Sequence, residues 1–148
     1  MKSKPEPDLR ERALGLLARR EHSRAEITRK LGQAGFAVED IAPLLDEFEQ
    51  KNWLSDRRFA ESYVADHRAR AGRVKLAYDL RQRGVPDAIV EAVLSGNRDS
   101  ELDRAREVWQ KKFGIAPADA AEKVRQMRFL QSRGFAQEII QKTLRATE

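Results

Sequence analysis

Two histidines and a complete lack of cysteine restrict the chemistry open to this chain. A serine–histidine–aspartate arrangement would have to use His22 or His67, and each lies on or beside a charged helical segment. His67 continues a stripe with Phe59 and Tyr63, which favours packing against a core, whereas His22 lies between two predicted helices, which favours a surface loop. Neither histidine has a partner at zinc spacing, and thiolate ligands and disulfides are absent. We therefore expect no catalytic site, no metal and no cofactor.

The glycine spacings do not indicate nucleotide hydrolysis. The chain has no Gly-x-x-x-x-Gly-Lys-Ser/Thr loop of the kind that surrounds the phosphates of a nucleotide. Gly32 and Gly35 form a Gly-x-x-Gly pattern, as in loops that clamp nucleic acid, but here the pattern closes a helix. Any nucleotide hydrolysis linked to this protein would belong to a partner.

Positive charge is concentrated in the middle of the chain. Residues 51–84 carry nine Lys/Arg and four Asp/Glu, a net charge of +5, against −1 for residues 1–50 and +1 for residues 85–148. A localised basic stretch points to a polyanionic partner more strongly than the overall pI of 9.7 does. The alternative is an ordinary solvated helix face. The predicted binding residues are Arg57, Arg58, Arg68, Arg70, Arg73, Lys75, Arg81 and Arg83.

These side chains suit either a phosphate backbone or an acidic protein surface, because the planar guanidinium group of arginine pairs with both. Arg70 and Arg73 flank the Ala71-Gly72 turn, from which basic side chains can fan toward a polyanion. The predicted helices around the turn lack the exposed Asn/Gln/Ser-rich face of a base reader. Sequence-specific DNA recognition is therefore not predicted.

A recurring helix end sets the organisation of the chain. The pattern Leu-x-x-x-Gly followed by a large apolar residue occurs three times, with its glycines 49 and then 50 residues apart, at Gly35, Gly84 and Gly134. Apolar residues keep a constant offset six positions beyond each glycine, at Ile41, Val90 and Ile140. A period in this range is typical of stacked copies of one supersecondary unit. We predict an all-α fold of three tandem three-helix repeats in an elongated, curved arrangement.

Caps and breakers divide the chain further. Pro5 and Pro7 predict a disordered lead over residues 1–7, followed by repeats over residues 8–53, 54–96 (the basic repeat) and 97–148. The predicted helices span residues 8–20, 24–34, 41–52, 56–70, 74–83, 86–94, 117–133 and 137–144, and a seventh helix in chain order follows residues 97–100 and ends at residue 113. A polar cluster over residues 97–100 is predicted to cap the seventh helix.

Individual caps follow from side-chain chemistry. Ser23 and Glu26 have the spacing of a capping box that opens the second helix. Asp40 as an N-cap would place Pro43 in the first turn of the third helix, where a missing amide is tolerated. Asp56 is the predicted N-cap of the fourth helix. The repeated glycines are predicted to end helices and to make no other contribution.

Longer blocks of the sequence resemble the RecX family of recombinase regulators. The resemblance is carried by Arg-Glu-His-Ser-Arg-Ala-Glu at residues 20–26, by Trp-Leu-Ser-Asp-Arg-Arg-Phe-Ala at residues 53–60, and by Arg-Phe-Leu-x-x-Arg-Gly-Phe at residues 128–135. It covers the chain from about Leu9 to Leu144. The resemblance implies tandem three-helix repeats that bind in the helical groove of the RecA–single-stranded-DNA filament. There the family modulates, and usually inhibits, filament growth, ATP hydrolysis and strand exchange.

The expected function is therefore that of a non-enzymatic regulator of homologous recombination, DNA repair and the SOS response. Its expected partners are the RecA filament, single-stranded DNA and, as a further candidate, double-stranded DNA, contacted mainly through residues 56–84. The alternative is a free-standing, sequence-nonspecific DNA-binding protein that competes for DNA. Neither a membrane-spanning run nor a secretory signal is present, so we expect a cytoplasmic protein, and a monomer.

Overall fold

The computed structural model describes residues 7–95 and 101–147, and within them every regular element is an α-helix. Unit 1 contains α1 (Pro7–Arg19), α2 (Arg24–Gln33) and α3 (Val38–Gln50). Unit 2 contains α4 (Asp56–His67), α5 (Arg73–Gln82) and α6 (Asp87–Ser95). Unit 3 contains α7 (Glu101–Lys112), α8 (Ala120–Ser132) and α9 (Gln137–Arg145). The predicted all-α class and the three three-helix units are confirmed.

Each unit buries an apolar core of its own, and the repeated positions supply its centre. The leucine of the helix-end pattern is fully buried in all three units, at Leu31, Leu80 and Leu130. The position six residues beyond the glycine is also buried, at Ile41, Val90 and Ile140. Each such side chain stabilises its unit by about 1.5–3 kcal/mol relative to an exposed position. The 50-residue period is therefore a period of core positions.

Four helices, α1, α3, α4 and α8, differ from the predictions in their first residue or their N-cap. The capping box of Ser23 and Glu26 is present, but α3 begins a turn earlier than predicted, with Ala37 as its N-cap. The prediction that Asp40 caps this helix is wrong: Asp40 lies in the first turn, where its charge favours the positive helix end, and Pro43 lies inside the helix. Pro7 is the first residue of α1 rather than a helix breaker, since a first-turn proline loses no hydrogen bond.

Side-chain caps explain the other two differences. Ser55, not Asp56, caps α4, because its Oγ accepts the amide N–H of Arg58 at 3.1 Å. Asp119 caps α8, because its carboxylate accepts the amide N–H of Glu122 at 2.8 Å, so this helix starts after Pro117 and not at it. The capping cluster predicted at residues 97–100 lies outside the described residues.

The repeated glycines end helices with positive φ angles, as predicted, but two of them also contact the neighbouring unit. A Cβ atom on Gly84 would lie 2.2 Å from the Cβ of Ala25, and one on Gly134 would lie 2.1 Å from the Cβ of Lys75. Gly35 has open space around it. The expectation that these glycines only end helices is therefore wrong for Gly84 and Gly134, which permit close packing between units.

Two joints, one between units 1 and 2 and one between units 2 and 3, use equivalent hydrogen bonds to backbone carbonyls. At the first joint, Ser23 Oγ donates to the carbonyl of Arg83 at 2.6 Å. At the second, the amide of Gly72 donates to the carbonyl of Arg133 at 2.8 Å, and that of Val74 to the carbonyl of Gly134 at 3.0 Å. Gly72, which lies in the turn between α4 and α5, is the N-cap of α5.

An acidic side chain completes each joint. The amide of Arg24, the first residue of α2, donates to Asp56 Oδ1 at 2.8 Å. The amide of Arg73, the first residue of α5, donates to Glu101 Oε1 at 3.0 Å. In both joints the amino end of the second helix of one unit therefore meets the carboxyl end of the second helix of the next. We call α2, α5 and α8, joined in this way, the helix column.

Candidate polyanion-binding surface

The eight predicted binding residues lie on different parts of unit 2 and do not form one cluster. Arg57 and Arg68 line a shallow cleft of about 290 Å³ with Ala92 and Val93, between α4 and α6. Arg58 lies at the first joint, where its Nε donates to Glu21 of unit 1 at 2.6 Å. The other five lie on or beside α5, at Arg70, Arg73, Lys75, Arg81 and Arg83. Helix α5 is therefore the element that brings most of the predicted charge together.

Several of these cations are paired with carboxylates. The ion pairs are Arg57 with Glu61 at 3.6 Å, Arg73 with Glu91 at 2.8 Å, Lys75 with Asp79 at 3.4 Å, and Arg81 with Asp87 at 2.8 Å. The pairs of Arg57 and Arg81 are exposed on both sides, and pairs of this kind contribute about 0–1 kcal/mol each to stability. Because such a pair is weak, breaking it costs little free energy, and an anion of a partner can replace the carboxylate.

Arg83 is held in place by an aromatic cluster. Its guanidinium lies over the ring of Tyr63, 4.6 Å from the centroid, and its Nη1 donates to the carbonyl of Asp79 at 3.1 Å. The hydroxyl of Tyr63 donates to Asp79 Oδ2 at 2.9 Å, and burial together with this carboxylate raises the pKa of Tyr63. The ring of His67 stacks on Tyr63 at 3.9 Å, as its position in the stripe predicted.

The first joint adds a cation from unit 1 that sequence reasoning missed. Exposed Arg29 of α2 lines a cleft of about 210 Å³ together with Arg81, Gln82 and Arg83. Glu26 also lines this cleft, but its carboxylate is bonded to Arg20 at 2.9 Å. Burial would raise the pKa of Glu26, yet the hydrogen bond from Arg20 holds it below its usual value. No local sequence signal places Arg29 here, because the joint that does so forms between distant parts of the chain.

The second joint adds a cation from unit 3. The Nη1 of Arg133 donates to the carbonyl of Arg70 at 3.5 Å, and its guanidinium lies 5.1 Å from the centroid of the Phe129 ring. Gly134, the next residue, packs against Lys75. Arg133 and Arg83 occupy the same position of the repeat, directly before the glycine. This repeated position is a sequence signal from which Arg133 could have been added to the predicted binding residues.

His22 is buried, and the prediction that it lies on a surface loop is wrong. Only 1 % of its surface is exposed, since it lies at the first joint beneath Lys30. Its Nε2 lies 2.9 Å from Lys30 Nζ, and its Nδ1 lies 3.1 Å from the carbonyl of Arg20. Because an ammonium group only donates, this geometry assigns the proton of a neutral ring to Nδ1. Burial lowers the pKa of His22.

Within residues 7–95 and 101–147, no group of three or more His, Cys, Asp or Glu side chains is placed to hold a metal ion. None of the helices there has the length and apolar character needed to cross a membrane. A cleft of about 660 Å³ in unit 3, lined by Phe113, Ile115, Arg125 and other residues, lies away from α5. The fold and the surface together define a three-unit helical repeat protein whose joints place cations of neighbouring units side by side.

Comparisons with known proteins identify the family. The family models described as the first, second and third three-helix domains of RecX match residues 10–48, 55–94 and 99–144. The chain is 41 % identical to the regulatory protein RecX of Ralstonia nicotianae over 140 residues, which cover 95 % of this chain and 88 % of the relative. It is 44 % identical to that of Chromobacterium violaceum over 136 residues, 92 % of this chain and 88 % of the relative.

The chain belongs to the RecX family of regulatory proteins. The fold is also similar to the crystal structure of RecX from Lactobacillus salivarius, with a TM-score of 0.83. That match covers 97 % of this chain and 98 % of the other, at 20 % sequence identity. It supports the three-unit helical fold.

Proposed function

We propose that this protein is a non-enzymatic, cytoplasmic regulator that binds the RecA–single-stranded-DNA filament and inhibits RecA ATP hydrolysis, filament extension and strand exchange. The observation that carries the proposal is that, in a chain of the RecX family, a cation of unit 1 and a cation of unit 3 lie beside cations of unit 2 at the two ends of α5. Arg29 of unit 1 and Arg133 of unit 3 join Arg70 and Arg83 of unit 2. A filament groove presents nucleic-acid phosphates and protein carboxylates together, and arginine pairs with both.

The test measures ATP hydrolysis by RecA on single-stranded DNA in the presence of charge variants. The variant Arg29→Gln, Arg70→Gln, Arg83→Gln removes three cations from the joints, and we expect it to inhibit much less than wild type at equal concentration. The matched control removes three exposed cations of unit 3, as Arg106→Gln, Arg128→Gln, Arg145→Gln. The control is expected to inhibit as wild type does. Equal inhibition by the two folded variants would show that the joints do not form the contact surface.

A free-standing DNA-binding protein would use the same cations but would not need RecA. Comparing the affinity for naked single-stranded DNA with the affinity for RecA-coated DNA separates the two functions. We expect tighter binding to the coated strand at physiological salt. Tighter binding to the naked strand would favour competition for DNA instead.

A further inference from the structure

Helix α5 exposes an apolar strip on the face opposite its core contacts. Leu76, Ala77 and Leu80 are buried in unit 2, whereas Val74 is 56 % exposed and Tyr78 is 60 % exposed. Val74 and Tyr78 are four residues apart and therefore adjacent on the helix surface. Burial in the core does not account for an aromatic ring at this position, because the ring faces away from the core.

Cations lie on both sides of this strip along the helix. Toward the carboxyl end, Arg81 and Gln82 lie one turn from Tyr78 and line the first-joint cleft with Arg29 and Arg83. Toward the amino end, Lys75 lies one turn before Tyr78 and packs against Gly134, beside Arg133 and Arg70. We call Arg29 and Arg83 the first-joint cations, and Arg70, Lys75 and Arg133 the second-joint cations.

The spacing of these groups favours one class of partner. Helix α5 has ten residues and is therefore about 15 Å long, so the two groups of cations are separated by a distance that a few nucleotides span. Single-stranded nucleic acid offers phosphates to the cations and a base to the ring between them, an arrangement that recurs in proteins binding single strands. Acidic side chains would pair with the cations but offer no aromatic face on which Tyr78 could stack. The strip therefore favours nucleic acid.

We infer that the exposed face of α5 is a binding track for single-stranded nucleic acid, in which Tyr78 stacks on a base and the first-joint and second-joint cations hold the phosphates on either side. This inference rests on the proposed function, because it describes how the protein would contact the DNA of a filament. It adds a base contact that charge alone does not provide. Stacking of this kind tolerates any base, in agreement with the lack of a base-reading face.

The test uses the full chain without RecA and a short fluorescent oligothymidylate, compared with an abasic strand of the same length. We expect Tyr78→Ala to weaken binding of the oligothymidylate by about tenfold. The same variant should bind the abasic strand as wild type does, because both then lack the stacking contact. Tyr78→Phe keeps the ring and should restore the wild-type preference. Ile115→Ala removes an apolar side chain of unit 3 that is 76 % exposed, and serves as the control.

The cations are tested on the same two strands. Arg83→Gln and Arg133→Gln should each weaken binding of both strands and reduce the slope of log affinity against log salt by nearly one. If Tyr78→Ala binds the oligothymidylate as tightly as wild type, the track is overturned, whatever the RecA assay shows. If wild type binds neither strand while the arginine variants lose RecA inhibition, the joint cations contact protein, and the track is again wrong although the proposed function stands.

Discussion

Gly84 has a positive φ angle of 81° and almost touches Ala25 of the neighbouring unit, so two separate requirements exclude a side chain. A left-handed backbone costs a residue with a Cβ about 1–2 kcal/mol. Overpacking a close contact adds about 1–3 kcal/mol. Three glycines allow the two effects to be measured separately. Gly84 has both a positive φ and a close contact, Gly35 has the positive φ alone, and Gly32 has neither of these features.

We therefore expect Gly84→Ala to lower the free energy of unfolding by about 2–5 kcal/mol and Gly35→Ala by about 1–2 kcal/mol. Gly32→Ala, inside α2, should raise it by about 0.5–1 kcal/mol, because alanine is the better helix former. Chemical denaturation of the three variants measures the order. Equal losses at Gly84 and Gly35 would show that the close contact at the first joint contributes nothing.

The buried imidazole of His22 makes stability depend on pH. Its pKa in the folded protein is lowered from the ordinary value of 6.5, because burial disfavours the charged ring and the cations Arg20 and Lys30 add to the effect, opposed by the Arg20 carbonyl and Glu26. The unfolded chain then binds more protons than the folded chain just below pH 6.5, so stability falls as the pH falls through that range. The lowered pKa values of Glu26 and Glu47 act in the same direction only below about pH 4.5.

Between pH 7 and about pH 5 we accordingly expect wild type to lose stability and His22→Gln to change much less. Thermal unfolding followed at several pH values is the measurement. His67→Gln, a change at the other histidine, is the matched control. If the stability of His22→Gln falls with pH as much as that of wild type, groups other than His22 cause the pH dependence.

At the scale of the helix, Asp56 is the first residue of α4, but its carboxylate bonds to the amino end of α2. Ser55 caps α4, which leaves the Asp56 carboxylate to accept the first amide of α2 from the neighbouring unit. Burial raises the pKa of Asp56, so the carboxylate is retained there at a desolvation cost. Removing the acceptor leaves a partly buried amide without a partner, a loss of about 1–3 kcal/mol.

We expect Asp56→Ala to destabilise the protein by about that amount and to speed hydrogen exchange at the amide of Arg24, a residue of unit 1. Ser55→Ala should instead loosen the first turn of α4 and lower the free energy of unfolding by about 1 kcal/mol. The amide of Arg24 should remain protected from hydrogen exchange. Residue-resolved hydrogen exchange on both variants distinguishes a local cap from a cap that acts between units. Unchanged exchange at Arg24 in Asp56→Ala would contradict the bond.

Several features confined to one unit were predictable because their causes are local, although the caps of α3, α4 and α8 were not. The capping box of Ser23 and Glu26, the glycine ends and the buried leucines each depend on spacings of a few residues. The joints were not predictable, because they bring together backbone and side-chain atoms that lie far apart in the chain, as with Ser23 and Arg83. For the same reason the burial of His22 and the placement of Arg29 were missed. The seven arginines and one lysine predicted as one basic group lie on or beside α4 and α5, and several of them pair with carboxylates.

At the scale of the whole molecule, the helix column has a direction. The amino end of α2 is covered by unit 2 and that of α5 by unit 3, whereas the amino end of α8 is capped by its own Asp119. The covered ends begin with Arg24 and Arg73, and each meets an acid of the next unit. Helix α8 instead has Asp119 as its N-cap and Glu122 in its first turn. A further unit with an acid at the equivalent place would meet like charge there.

This difference predicts that copies of the protein do not add head to tail. Terminal units of repeat proteins commonly have a polar outer face that stops stacking. We expect sedimentation velocity to show a monomer whose sedimentation coefficient does not rise with concentration over the micromolar range. Growth of higher oligomers with concentration would show that the amino end of α8 accepts another copy.

The two joints also differ in the sizes of the residues that occupy equivalent places. The N-cap is Ser23 at the first joint and Gly72 at the second, and the residue after the repeated glycine is Val85 at the first and Phe135 at the second. A Cβ on Gly72 would lie 2.6 Å from the ring of Phe135, so the missing side chain makes room for the large one. Each joint thus matches one particular pair of neighbours. The three units are therefore not interchangeable, and an exchange of units 2 and 3 would place a phenylalanine where a serine leaves it no space.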